Sequence, residues 1–197
     1  MDNFEENLKS NLLEFVQSIV IAIAICVFIY IFIATPNQIQ GQSMDPTFKN
    51  AEIVLTSKIH QWLGGTPFGR SVGLDYKRGD IVVFQKPGLD DFIKRVIGIP
   101  GDSVNIKEGH VYINGNKIIE PYLDSGIVTK GGTFIVDNGQ PVTLGQDEYF
   151  LMGDNRGNSR DSRYAEVGFI KREWLKGKVL LRYWPLNKIW VVEHINL

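Results

Sequence analysis

Sulfur and imidazole are both scarce in this chain. Of its 197 residues one is cysteine. That residue, Cys26, lies inside the longest apolar run, so no intrachain disulfide can form and the rest of the chain must be held by its own core. The three histidines, His60, His110 and His194, stand far apart, and no CxxC or HxxxH pair occurs; the sequence gives no reason to expect a metal or any other cofactor. A basic excess is lacking as well. With 21 Lys and Arg against 22 Asp and Glu the net charge is -1, which leaves no electrostatic footprint for nucleic acid. There is no internal repeat and no low-complexity tract. The N-terminus also lacks the positive charge of a cleavable export signal: before residue 35 it carries Asp2, Glu5, Glu6 and Glu14 against Lys9 alone.

Behind that acidic start lies a long, greasy run. From Phe15 to Ala34 only Gln17 and Ser18 interrupt apolar or small residues, a length of about 20 that suits a bilayer-spanning helix. Ala22-Ile23-Ala24 imitates a leader cleavage site, but ten more mostly apolar residues come after it, so the segment reads as an uncleaved anchor. The expected organisation is a short tail over 1–12, a membrane anchor over 13–35 and one domain over 36–197. Lys9 on one side against Lys49 and Lys58 on the other leaves the orientation open by the positive-inside rule.

Beyond the anchor the pattern is that of strands. Short apolar or β-branched runs bounded by Gly, Pro and Asp occur at 52–56, 80–84, 92–97, 133–136, 148–152 and 178–183. Asn114-Gly115, between Val111 and Ile119, has the signature of a tight hairpin. The fold class expected is mainly β: a mostly antiparallel, partly barrel-like domain behind a single transmembrane helix, with a strand-rich lobe inserted over about 103–146. One short helix is expected near Lys171 to Leu175, and residues 57–74 read as a surface loop. Within that loop Gly64 to Ser71 has the spacing of a phosphate-binding loop with Arg70 in place of lysine, but no strand–loop–helix context surrounds it.

The chemistry centres on Gly41-Gln42-Ser43-Met44-Asp45-Pro46-Thr47. Alone, Ser43 is a turn serine ahead of Pro46; as a nucleophile it needs a base within hydrogen-bond reach. Lys94, flanked by Phe92, Ile93, Val96 and Ile97 in a strand pattern, is the candidate, because burial disfavours the charged ammonium. Two further stretches stand out, Tyr76 to Phe84 and Gly153-Asp154-Asn155-Arg156-Gly157-Asn158-Ser159-Arg160-Asp161-Ser162-Arg163.

These four motifs, in this order behind one apolar segment, resemble the type I signal peptidases, membrane-bound Ser/Lys proteases that cut leader peptides from exported proteins. The resemblance runs from the apolar segment to about Trp184. It implies that Ser43 attacks the scissile carbonyl, that Lys94 takes and returns the proton, and that Ser159 hydrogen-bonds the lysine amine. It also implies that Asp161 and Arg163 form a structural ion pair, with Asp154 and Arg95 as further supports. Ile39, Met44, Phe48, Phe92 and Ile93 match positions lining shallow apolar pockets for small substrate side chains, although Phe48 fits core packing equally well. Many relatives carry a hydroxyl residue two positions before the nucleophile as an oxyanion donor; Gly41 departs from that. The implied partners are preproteins bearing signal peptides and the lipid bilayer, with the enzyme a monomer in the cytoplasmic membrane and its domain outside. The self-cleaving repressors that share such a dyad cut at Ala-Gly or Cys-Gly bonds, and neither dipeptide occurs here. Trp184 and Trp190 suit either a headgroup contact or the domain core.

Overall fold

The computed structural model describes residues 2–197, with side chains from Asn11 onward. Of the tail expected over 1–12, Met1 and the side chains up to residue 10 lie outside the described residues. Helix α1 (Asp2–Phe28) continues into a π-helical turn, Ile29–Ile33. The stretch Asn11–Ile33 is long and apolar enough to cross a membrane, and none of it is buried in the protein. At 1.5 Å per residue its 23 residues reach about 35 Å, enough for a hydrocarbon core of about 30 Å. The helix ends before Pro36, earlier than that residue alone required. Ala34 is already extended at φ -155°, and Pro36 sits inside strand β1 (Ala34–Gln38). That position is tolerated because β1 is an edge strand, where a missing N–H breaks no ladder.

The domain is built on antiparallel sheets. Strands β2 (Ile53–Ser57), β3 (Ile81–Phe84), β4 (Phe92–Gly98), β9 (Glu148–Met152), β10 (Ile170–Lys171) and β11 (Leu175–Trp184) join β1 in the order β1-β2-β11-β3-β4-β9-β10. The short β12 (Trp190–Val191) also pairs with β11. A second sheet, in the order β7-β6-β5-β8, comprises β5 (Ser103–Lys107), β6 (His110–Ile113), β7 (Asn116–Lys117) and β8 (Val142–Thr143). It falls inside the stretch expected to hold an inserted lobe. Its hairpin turns on Asn114 at φ 52° and Gly115 at φ 81°, the double left-handed geometry that an Asn-Gly pair supplies at least cost.

Alternation along the central strands feeds separate cores on the two faces. On β3, Val82 and Phe84 join Val96, Tyr149, Leu151 and Leu175, whereas Ile81 and Val83 point toward Ile39, Met44, Phe48, Val54 and Val179. Both faces are covered, which is why the whole run is apolar and buried. Phe150 and Met152 of β9 face Val104, Ile106, Val111 and Ile113, seating the second sheet on the first.

Several expectations are corrected. Residues 133–136 form no strand: the N–H groups of Phe134 and Ile135 both donate to the Arg163 carbonyl, and Ile135 turns back on Gly132. The loop expected over 57–74 contains two short helices, α2 (Ile59–Leu63) and α3 (Pro67–Ser71). Thr66 caps α3, accepting from Gly69 N–H at 3.0 Å, with Pro67 at the first helical position. The glycines that imitated a phosphate loop serve packing instead. A Cβ on Gly69 would fall 1.8 Å from the Leu63 carbonyl oxygen, and Gly64 and Gly65 lie against Arg172. The short helix expected at 171–175 is a single 3-10 turn, Arg172–Trp174.

Candidate active site

The turn after β1 presents Ser43. Gly41 adopts φ 84°, a left-handed conformation that favours glycine, and its N–H donates to Asn50 Oδ1 at 2.8 Å. Met44 and Phe48 are buried and anchor the turn, with Phe48 N–H donating to the Met44 carbonyl. From the other side Asn155 N–H donates to the Ser43 carbonyl at 3.1 Å, and Asn155 Nδ2 to that of Gln42. This grip requires Gly153. A Cβ there would lie 2.4 Å from the Ser43 carbonyl oxygen and 2.2 Å from Ser159 Oγ.

Lys94, on β4, brings its Nζ to 2.8 Å from Ser43 Oγ across 51 residues of sequence. The amine also donates to the Ile93 carbonyl at 2.9 Å and lies 5.2 Å from the Phe92 ring centre. With the residue only 1% exposed, burial lowers its pKa from the ordinary 10.5 to about 8, against the opposing pull of Asp161 and Asp154.

Each of those carboxylates is held by an arginine. Asp154 takes two hydrogen bonds from Arg95, from Nε at 2.9 Å and Nη2 at 2.6 Å, and a third from Thr47 Oγ1 at 2.5 Å. Asp161 accepts from Arg163 Nε at 2.8 Å and Nη2 at 2.9 Å, and from Gly153 N–H at 3.0 Å. Both pairs are buried. Bidentate geometry with added donors is what makes buried ion pairs tolerable. Here it fixes the loop 153–163 against the Ser43 turn while offsetting carboxylate charge that favours the protonated form of Lys94.

Two expected site residues stand differently. Ser159 Oγ is buried with no hydrogen-bond partner among the described residues, so it does not bond the lysine amine; the Ile93 carbonyl takes that place. Phe48 is fully buried in the core, packing against Trp190 at 6.0 Å between ring centres, and does not line the cleft. Ile39, Met44, Phe92 and Ile93 do line it. They share an open cleft of about 990 Å³ with Ser43, Lys94, Asn50, Asn158 and Arg160.

Sequence reasoning missed Asn50, Thr47 and Arg156. Arg156 is buried and bonded to Glu120, to Thr129 Oγ1 at 2.7 Å and to the Gly153 carbonyl at 3.2 Å. It ties Glu120 and Thr129 to the loop 153–163. Its place between Gly153 and Arg163 was the available signal.

A buried lysine in contact with a serine thus stands at the wall of an open cleft. The family model for signal peptidase, peptidase S26, covers residues 12–184. The chain belongs to this family and is a serine peptidase of the signal peptidase I type. It is 37% identical over 191 residues to signal peptidase IB of Staphylococcus aureus, covering 92% of this chain and 94% of that one. It is 34% identical over 183 residues to signal peptidase I of Bacillus amyloliquefaciens, covering 92% of each. A crystal structure of a signal peptidase I from Enterococcus faecalis V583 is similar with a TM-score of 0.42 and 28% identity, covering 53% of this chain and 96% of that chain.

Proposed function

We propose that this chain is a membrane-anchored endopeptidase that removes signal peptides from exported preproteins, with Ser43 as nucleophile and Lys94 as general base. The observation that carries the reading is the 2.8 Å contact between Lys94 Nζ and Ser43 Oγ at the wall of a cleft open to an extended peptide. The neutral amine accepts the Oγ proton as Oγ attacks the scissile carbonyl carbon. The resulting ammonium then protonates the departing amine, leaving an acyl-enzyme. Lys94, neutral again, takes a proton from water as the water oxygen attacks the ester, and returns it to Ser43 Oγ as the new carboxyl product departs. A serine pKa far above neutrality makes such a base necessary.

The negative oxygen of each tetrahedral intermediate needs donors. Ser43 N–H makes no hydrogen bond among the described residues and is free for this role, whereas Gly41 N–H is occupied by Asn50. Gly41 contributes no side-chain donor. Ile39, Met44, Phe92 and Ile93 supply the apolar surface for small residues before the cut. Arg95, Asp154, Asp161 and Arg163 are positioning residues.

In this reading α1 and its π turn cross the cytoplasmic membrane, the N-terminus is cytoplasmic, and the domain after Pro36 works outside as a monomer. The β1 path from Ala34 to Ser43 spans at most roughly 30 Å, which keeps the nucleophile close to a peptide leaving the bilayer. Cleavage of a preprotein in proteoliposomes, wild type against Ser43→Ala, tests the chemistry: loss of cleavage in the variant is expected, and retained cleavage excludes Ser43. Protease added to intact spheroplasts tests the topology; a domain that survives until the membrane is permeabilised contradicts it.

A further inference from the structure

Helices α2 and α3 carry an apolar face that none of the described residues covers. Trp62, Leu63, Phe68 and Val72 are respectively 59%, 40%, 64% and 53% exposed. The opposite face is fastened. The His60 carbonyl accepts from Arg172 Nη2 at 3.0 Å, the His60 ring packs on Tyr76, and Gly64 and Gly65 lie against the Arg172 side chain. The unit is therefore a seated hairpin with its greasy side turned away from the protein.

Its position is set by the membrane helix. Ser57, at the end of β2, pairs with Ala34, and Lys58 N–H donates to the Ile33 carbonyl at 2.8 Å. The Lys58 amine reaches back to the carbonyls of Tyr30 and Ile31 at 3.1 and 3.2 Å. Helix α2 thus starts beside the last turn of the apolar span, and Leu63 lies only about 8 Å further along. The charge fits the same neighbour. From Ile53 to Leu74 there is no Asp or Glu, whereas Lys58 and Arg70 are basic, the composition of a segment that lies in the headgroup layer with Trp and Phe inward.

We infer that the α2–α3 hairpin is a second membrane contact, resting in the lipid interface beside α1 and holding the cleft at a fixed height and tilt over the bilayer. This rests on the membrane-anchored reading, with the bilayer as the sole occupant of the apolar face. A single helix attaches the domain to the bilayer at one point, and a second attachment beside it resists tilting of the domain against the membrane surface.

The test uses the full chain in phosphatidylglycerol–phosphatidylcholine vesicles whose acyl chains are brominated, a short-range quencher of tryptophan. Subtracting the emission of a Trp62→Phe variant isolates Trp62 from Trp174, Trp184 and Trp190. Loss of at least half of the Trp62 emission, with protection from aqueous iodide, is expected. Trp62 emission untouched by bromolipid and quenched by iodide overturns the inference. Flotation of both proteins after an alkaline wash separates the two readings, since protein that fails to float discards the α1 anchor itself. A Leu63→Glu/Phe68→Glu variant adds a functional readout. Several-fold slower cleavage of a membrane-inserted preprotein is expected, with unchanged cleavage of a short soluble peptide in detergent. Equal rates on the preprotein, or equal losses on both substrates, contradict the contact.

Discussion

Replacing Lys94 with methionine keeps the side chain as far as its ε carbon and removes the charged amine. In the native fold the lysine pKa is about 8 against 10.5, a gap worth about 3 kcal/mol at 1.36 kcal/mol per unit. Proton counts fix the sign. Between pH 8 and 10.5 the unfolded chain holds this proton more tightly than the folded one, so native stability rises with pH through that window. Below pH 8 the penalty for burying the ammonium is fully present. Methionine abolishes it but forfeits the bonds to Ser43 Oγ and the Ile93 carbonyl, each worth about 1 kcal/mol. Lys94→Met should therefore be more stable than wild type by about 1 kcal/mol at pH 6.5, and less stable by about 2 kcal/mol at pH 10.5, while cleaving nothing. Urea unfolding of the full chain in mild detergent, monitored by tryptophan emission at both pH values, measures this. A Lys94→Met effect identical at the two pH values would refute the claim that burial is what lowers the lysine pKa.

The site makes three further outcomes testable. Gly153→Ala places a methyl group 2.4 Å from the Ser43 carbonyl oxygen; displacing the nucleophile by even part of an ångström should lower kcat by about 100-fold, with KM less affected, as steady-state kinetics will show. Ser159→Ala removes a buried hydroxyl that has no partner, so thermal unfolding should show equal or greater stability, by up to about 1 kcal/mol; a loss of that size contradicts the absence of a bond. Peptides with alanine at the residue before the cut should be cleaved at least ten times faster than those with phenylalanine under the proposed reading, in which Ile39, Met44 and Ile93 face small substrate side chains; equal rates in a competition assay would refute this.

The parts of the fold that sequence made legible are those fixed by local chemistry. The apolar span, the Asn114-Gly115 hairpin and the runs of β3, β4 and β9 each arise from composition over a few residues. The motif resemblance singled out Ser43 and Lys94, which lie 2.8 Å apart in the fold. The hidden parts depend on distant partners. Residues 133–136 have strand composition, yet their N–H groups are captured by the Arg163 carbonyl. Phe48 matched a pocket position, but the turn that lifts Ser43 drives that ring into the core against Trp190. Asn50 gave no sign of its bond to Gly41, because an exposed asparagine after a turn is ordinary. The α2–α3 hairpin was concealed by its glycines, which imitate a loop until the close approach of Leu63 and Arg172 is seen.

The central claim is that the neutral Lys94 amine activates Ser43, and the pH dependence of kcat/KM for leader-peptide cleavage tests it most directly. Below the lysine pKa the rate should rise tenfold per pH unit and level off with a midpoint near 8. The limb should persist when His60, His110 and His194 are each replaced by glutamine, and Lys94→Arg, which cannot deprotonate, should show no activity at any pH. An activity limb centred near 6.5 that disappears with one of those histidines, or substantial cleavage by Lys94→Arg, would contradict the account.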